Sequence, residues 1–416
     1  MAPERAWRNG RVPTRLGVLF VAAGLAVSAV SCSSATEPTR NRPAPTSVAE
    51  PALPPAPTGD DRGAVVNQAP FSGITSSITE KGAVATKITY RSTSGVDGSG
   101  TEVGGTVFAP AGDGPPGGRP VVTVGHGTTG VTDECAPSAS PTLLGSTGVV
   151  GQLLDRGYVV AVSDYEGLGT PGDHPYLEPT TSAYNLIDAV RAARNIFPDT
   201  SSRWAALGIS QGGQASWSAA EHADDYGDGL EFVGSANLSP AADLSGILEQ
   251  EELTLPQKMF LPYLLEGLRV QHPEIDETAY MRGALVENPD TVLSCVGALL
   301  TEKWNVATQL RPEDTTPRSP ADALQMREWL QDDALPKGPA AGPQLVMVGE
   351  TDNLILPSWT EQAVEKACAG GDVIDFRTRT GEGHADARAV PGAVEWIADR
   401  FAGAQAPNTC PAGDGS

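Results

Sequence analysis

The stretch Gly208-Ile209-Ser210-Gln211-Gly212 sets a serine between two glycines, after the apolar run Trp204-Ala205-Ala206-Leu207 and ahead of a small-residue segment that suits a helix. Strand, sharp turn, helix, with serine at the apex, is the form of a nucleophile elbow. Both flanks need glycine because the neighbouring backbones come too close for a Cβ, and the serine is held strained with its Oγ at the edge of a sheet. The helix that follows points its positive N-terminus at that hydroxyl. In a chain with 47 glycines among 416 residues a bare match is weak, and a Gly-Ser turn between strand and helix is the plain alternative.

A serine hydroxyl is a poor nucleophile at neutral pH; it needs a base to take its proton and an acid to orient that base. Where this elbow is used, the chain order is nucleophile, carboxylate, histidine. The sequence has five histidines, so elimination works. His126 and His174 precede Ser210, His222 lies on the helix after the elbow, and His272 sits before Pro273 in a helical region. That leaves His384, in the glycine-rich loop Gly381-Glu382-Gly383-His384. The acid belongs after the strand expected over Gln344 to Val348, where Glu350 and Asp352 are candidates. Asp352 is the choice and Glu350 the alternative; Glu382 and Asp386 are too near His384 in sequence for loop-to-loop geometry.

Negative charge developing on an ester or amide oxygen needs backbone donors set in advance. One is expected from the N–H of Gln211. The other should come from the loop Gly125-His126-Gly127-Thr128-Thr129-Gly130, with Thr129 or Thr128 as donor and a hydroxyl there able to add a second bond.

These residues need a sheet to hold them. Ala85 to Ser94 and Thr101 to Ala109 read as a hairpin, and Val121 to Val124 and Tyr158 to Val162 as strands buried on both faces. Helical periodicity marks Thr147 to Arg156 and Ala183 to Phe197; strands follow at Trp204 to Ile209 and Phe232 to Ala236. Late strands at Gln344 to Val348 and Val373 to Arg377 alternate with helices at Trp359 to Cys368 and Ala389 to Phe401. Eight strands in this order give an α/β fold, a mostly parallel sheet flanked by helices, and suit an α/β-hydrolase core. The interval from Ala236 to Gln344 far exceeds one crossover. Its helical stretches, Pro256 to Val270, Glu277 to Val286, Thr291 to Trp304 and Ala321 to Gln331, make a cap over the elbow. Ser319 with Asp322 reads as a capping box for the last of them. Leu261, Leu264, Leu265 and Leu268 are either core or the lining of an acyl pocket.

An apolar content of 40% is adequate for a core, and a formal charge of −23 excludes the basic footprint of a nucleic-acid binder. An arginine-rich start followed by the short apolar run Leu16 to Ser31 reads as a secretory signal, too short to span a membrane. Ala29-Val30-Ser31-Cys32 resembles a bacterial lipobox, with Ala29 where leucine is usual. Acylation at Cys32 would tether the protein to a membrane and leave Cys135, Cys295, Cys368 and Cys410 as an even set for two disulfides; plain secretion is the alternative. The division is thus signal peptide 1–32, Pro-rich disordered spacer 33–63, core 64–238, cap 239–340, core 341–410 and tail 411–416.

The oxyanion loop ahead of Cys135-Ala136-Pro137-Ser138, the run Gly157-Tyr158-Val159-Val160 leading to Asp164-Tyr165-Glu166-Gly167, the elbow, and the late Asp and His together resemble the secretory lipase family of lipase A type, over roughly Phe71 to Cys410. The resemblance implies an α/β-hydrolase with a helical cap that cleaves acylglycerols or simpler carboxylic esters without a metal or other cofactor. It also implies disulfides pairing Cys135 with Cys295 and Cys368 with Cys410. The chain departs from its relatives at Ile209, where an aromatic residue or histidine is frequent, and near Thr129, where yeast members carry an acidic residue in the oxyanion loop. Two rival readings are a serine peptidase or amidase on the same fold, and a non-catalytic hydrolase fold that serves as a surface binding protein.

Overall fold

The structure, a computed structural model, describes residue 53 and residues 55–411. The signal peptide, Cys32, most of the spacer and most of the tail lie outside the described residues. The end of the spacer does not: Pro55 and Pro57 lie against Gly100, and Arg62 donates to the Tyr226 carbonyl at 2.9 Å. The packed chain therefore starts several residues before Ala64, because these prolines cover the turn of the first hairpin.

Nine strands form one sheet: β1 Val65–Pro70, β2 Val84–Thr93, β3 Gly100–Ala109, β4 Arg119–Gly125, β5 Val159–Tyr165, β6 Thr200–Ile209, β7 Glu231–Leu238, β8 Gln344–Gly349 and β9 Ile374–Arg379, in the order β1-β2-β3-β5-β4-β6-β7-β8-β9. The first four in that order pair antiparallel and the rest parallel. Eight of them match the expected strands; β1 is additional. Five of its six residues are exposed, so it lacks the alternation that marks a half-buried strand.

The principal helices are α1 Thr147–Asp155, α2 Pro179–Ile196, α3 Gln211–Glu221, α4 Leu255–Gln271, α5 Leu300–Gln309, α6 Pro320–Asp332, α7 Pro357–Gly370 and α8 Val390–Phe401. The central strands alternate their side chains between two buried faces. Val122, Val160 and Leu207 pack with α1 and α8, whereas Val121, Val159 and Trp204 pack with α2 and α3. That is why these strands read as continuous apolar runs.

Between β7 and β8 the chain builds a third apolar cluster from Leu261, Leu265, Tyr280, Met326 and Trp329. Two of the expected cap helices are broken. Glu277 to Val286 is interrupted at Gly283, which has φ 58°, leaving a single turn on either side. Thr291 to Trp304 breaks at Cys295–Gly297, where a disulfide and a bond from Val296 N–H to the Thr129 carbonyl (2.7 Å) replace helical bonding. Ser319 does cap α6, accepting from the Asp322 amide.

Candidate active site

β6 delivers Ser210 at its end, and the close packing of backbones there is measurable. A Cβ on Gly208 would stand 1.7 Å from the Gly212 carbonyl oxygen, and one on Gly212 would stand 1.9 Å from that of Gly125. Glycine at all three positions lets the start of α3 sit directly on the ends of β4 and β6. Ser210 takes φ 59°, ψ −117°, outside the regions an ordinary residue prefers. Its amide donates to Leu238 on β7 at 2.9 Å, and its carbonyl accepts from Gln214 (3.1 Å) and Ala241 (3.2 Å), which hold the strained turn in place.

Asp352 follows β8 and His384 follows β9. Their loops are stitched together: the Thr351 amide and hydroxyl both donate to the Glu382 carbonyl at 2.9 Å, and a Cβ on Gly349 would stand 2.3 Å from the Gly383 carbonyl oxygen. Asp352 is buried, and its Oδ1 accepts from the amides of Leu354 and Ile355, each at 3.0 Å. Its Oδ2 lies 2.7 Å from His384 Nδ1, and His384 Nε2 lies 2.9 Å from Ser210 Oγ. A carboxylate can only accept, so Nδ1 carries the proton and Nε2 presents its lone pair to the serine hydroxyl. The other carboxylates are engaged elsewhere: Glu350 accepts from the Gly381 amide at 3.0 Å, Glu382 pairs with Arg379 at 2.7 Å, and Asp386 pairs with Arg388 at 2.7 Å.

The loop after β4 runs beside the nucleophile, with the Cβ position of Gly127 3.8 Å from Ser210 Cβ. Gln211 is the first residue of α3, so its N–H has no acceptor within the helix. The two threonines differ. Thr128 Oγ1 is engaged with the Tyr176 hydroxyl at 2.7 Å, whereas Thr129 Oγ1 is buried without a partner. The other histidines stand away from the serine. His126 lies between the carbonyls of Gly127 and Asp164, His222 packs edge-on to Tyr184, and His272 stacks on Trp329. His174 has a role that sequence order passes over: its Nδ1 donates to the Glu166 carbonyl (2.7 Å) and its Nε2 accepts from the Gln211 side-chain amide (2.9 Å). Burial pushes the imidazoles of His126 and His174 down to about 4 and about 3, so both are neutral at physiological pH.

The cavity above Ser210 is apolar. Tyr176, Phe260 and Trp359 line it with Leu261 and Leu264, two of the four leucines named from the α4 stripe; Leu265 and Leu268 face the cap core instead. Leu354 and Ile355, two and three residues beyond Asp352, also line it, and an apolar pair so soon after the acid is a legible signal. Cys135–Cys295 and Cys368–Cys410 are disulfides. The first joins the segment after the β4 loop to the helical insertion between β7 and β8. Among the described residues Glu134, Cys135 and Cys295 are close enough to share a metal ion, but both sulfurs are bonded to each other, leaving one carboxylate.

The secretory lipase family model matches residues 142–409, which takes in the elbow, the acid and the histidine but not the loop after β4. Candida antarctica lipase A has a similar fold, with TM-score 0.67 at 18% identity over 84% of each chain. The rice cell wall degrading esterase LipA of Xanthomonas oryzae superposes with TM-score 0.63 at 18% identity, covering 82% of this chain and 99% of the other. A Mycobacterium tuberculosis protein named as a probable inactive lipase is 26% identical over 341 residues, 77% of this chain and 74% of that one.

Proposed function

This chain belongs to the secretory lipase family, and from that premise we propose that it is an exported serine ester hydrolase working through Ser210, His384 and Asp352. The proposal rests on one observation above all, the continuous hydrogen-bonded path from Ser210 Oγ through the imidazole to a buried carboxylate. Ser210 Oγ attacks the ester carbonyl carbon while His384 Nε2 takes its proton. Asp352 holds the Nδ1–H tautomer and stabilises the imidazolium that forms. The carbonyl oxygen, now negative, is met by the N–H of Gln211, by the loop after β4 and by the free Thr129 hydroxyl. Collapse breaks the carbon–oxygen bond to the alcohol, which leaves with the proton from His384. Water, deprotonated by the same nitrogen, then cleaves the acyl-enzyme.

The apolar cavity suits an acyl group, and residues 239–340 act as the cap that shields it. Two disulfides and the family's secretory character support work outside the cell; tethering through Cys32 is part of the same proposal. Among the described residues no helix is long and apolar enough to cross a membrane.

The relative named as inactive makes a non-catalytic role the second reading. Hydrolysis of p-nitrophenyl butyrate by wild type, lost in Ser210→Ala, supports the hydrolase; a folded wild type without activity on any ester favours the binding protein. Faster turnover of a matched anilide than of the ester would make it an amidase.

A further inference from the structure

Two cavities lie side by side beneath the cap. The inner one contains Ser210 and has a volume of about 40 Å³. The outer one, about 330 Å³, lies between α4, α6 and the segment joining β7 to α4. Ile247 and Leu261 line both. Both side chains are buried, at 8% and 3% exposure, and both belong to the apolar cluster of the cap. They therefore stand as a partition, one face toward the nucleophile and the other toward the larger space.

At about 40 Å³ against about 330 Å³, the inner cavity is much the tighter of the two and suits a short acyl chain better than a long one. A longer chain meets Ile247 and Leu261. The outer cavity is lined by the apolar Leu248, Leu253, Tyr280 and Met326 as well as by Glu251, Glu252 and Arg318. Its apolar residues suit hydrocarbon, and Ile247 and Leu261 stand between it and the inner cavity.

We propose that Ile247 and Leu261 set the acyl-length limit, so that the substrates are esters of short-chain acids and the outer cavity is space for longer chains that the partition withholds. This rests on the hydrolase reading above. A methylene that a pocket cannot house costs tenfold or more in discrimination. The test is kcat/KM on p-nitrophenyl esters from acetate to palmitate for wild type, Leu261→Ala, Ile247→Ala and the double variant Leu261→Ala/Ala323→Trp, which refills the outer cavity from α6. Wild type is expected to peak between acetate and butyrate and to fall by about tenfold or more at octanoate. Either alanine variant should raise the octanoate-to-butyrate ratio about tenfold, and Ala323→Trp should reverse that gain. If Leu261→Ala does not fold, Ile247→Ala carries the same expectation. A wild type that peaks at octanoate or beyond, or folded alanine variants with an unchanged ratio, overturns the partition and leaves the hydrolase reading standing. A folded wild type that cleaves none of the esters overturns both.

Discussion

Asp352 accepts three hydrogen bonds, two from backbone amides and one from His384, so its orientation is set before any substrate arrives. Asp352→Asn should keep the shape but lose control of the imidazole tautomer, lowering kcat by about 10²–10⁴. Glu350→Gln should stay within about twofold, since that carboxylate meets only the Gly381 amide on the surface. Thr129→Val removes a buried hydroxyl with no partner in the resting protein, at little cost in volume. If that hydroxyl meets the oxyanion, kcat should drop by about tenfold to a hundredfold with KM nearly unchanged. Steady-state kinetics on p-nitrophenyl butyrate checks all three. Chain order together with the helical placement of His222 and His272 singles out His384, the histidine that lies 2.9 Å from Ser210 Oγ. It could not separate Thr128 from Thr129. Which hydroxyl is free depends on Tyr176, distant in sequence, and no local pattern records that contact.

The segment after the β4 loop and the helical insertion between β7 and β8 are joined through Cys135–Cys295, and the insertion side of that joint is fixed again from within. Lys303, buried on α5, donates to the Tyr263 hydroxyl at 2.6 Å and to the carbonyls of Ser294 and Cys295. Burial lowers its ammonium to about 8. Replacing Cys135 and Cys295 by serine should therefore lower kcat as well as stability, whereas replacing Cys368 and Cys410, which join α7 to the C-terminal segment, should lower the melting temperature alone. Removal of a native disulfide typically costs about 2–5 kcal/mol, so thermal melts read beside kinetics separate the two pairs. The end of α6 supplies a pH test. Asp333 is buried, its carboxyl pushed up to about 7 by desolvation, with Gln271 donating to it. A folded pKa above the unfolded one means stability is complete below about pH 4 and is lost as pH climbs through 7. Asp333→Asn keeps an acceptor for Gln271, so it should raise stability by up to about 4 kcal/mol at pH 8 and change it little at pH 4. The long helices here were readable from periodicity. The breaks at Gly283 and Cys295–Gly297 were not, because bonds to distant segments replace the local ones.

The described residues form a sheet with two buried faces and a long helical insertion between β7 and β8, and Ser210, Asp352 and His384 follow three parallel strands, β6, β8 and β9, of which β8 and β9 are neighbours and β7 lies between β6 and β8. The parallel strands were legible because burial on both faces leaves uninterrupted apolar runs, as at Val121 to Val124 and Val159 to Val162. The edge strand β1 was not, since exposure leaves no such run. Whether the path from Ser210 through His384 to Asp352 does chemistry is what separates an ester hydrolase from a family fold retained only for binding. Incubating the folded protein with a fluorophosphonate probe and mapping the adduct by mass spectrometry tests it most directly. A single adduct on Ser210 is expected, absent in Ser210→Ala and strongly reduced in His384→Ala. Folded wild type that stays unlabelled, or that is labelled elsewhere while Ser210→Ala still hydrolyses esters, would contradict it.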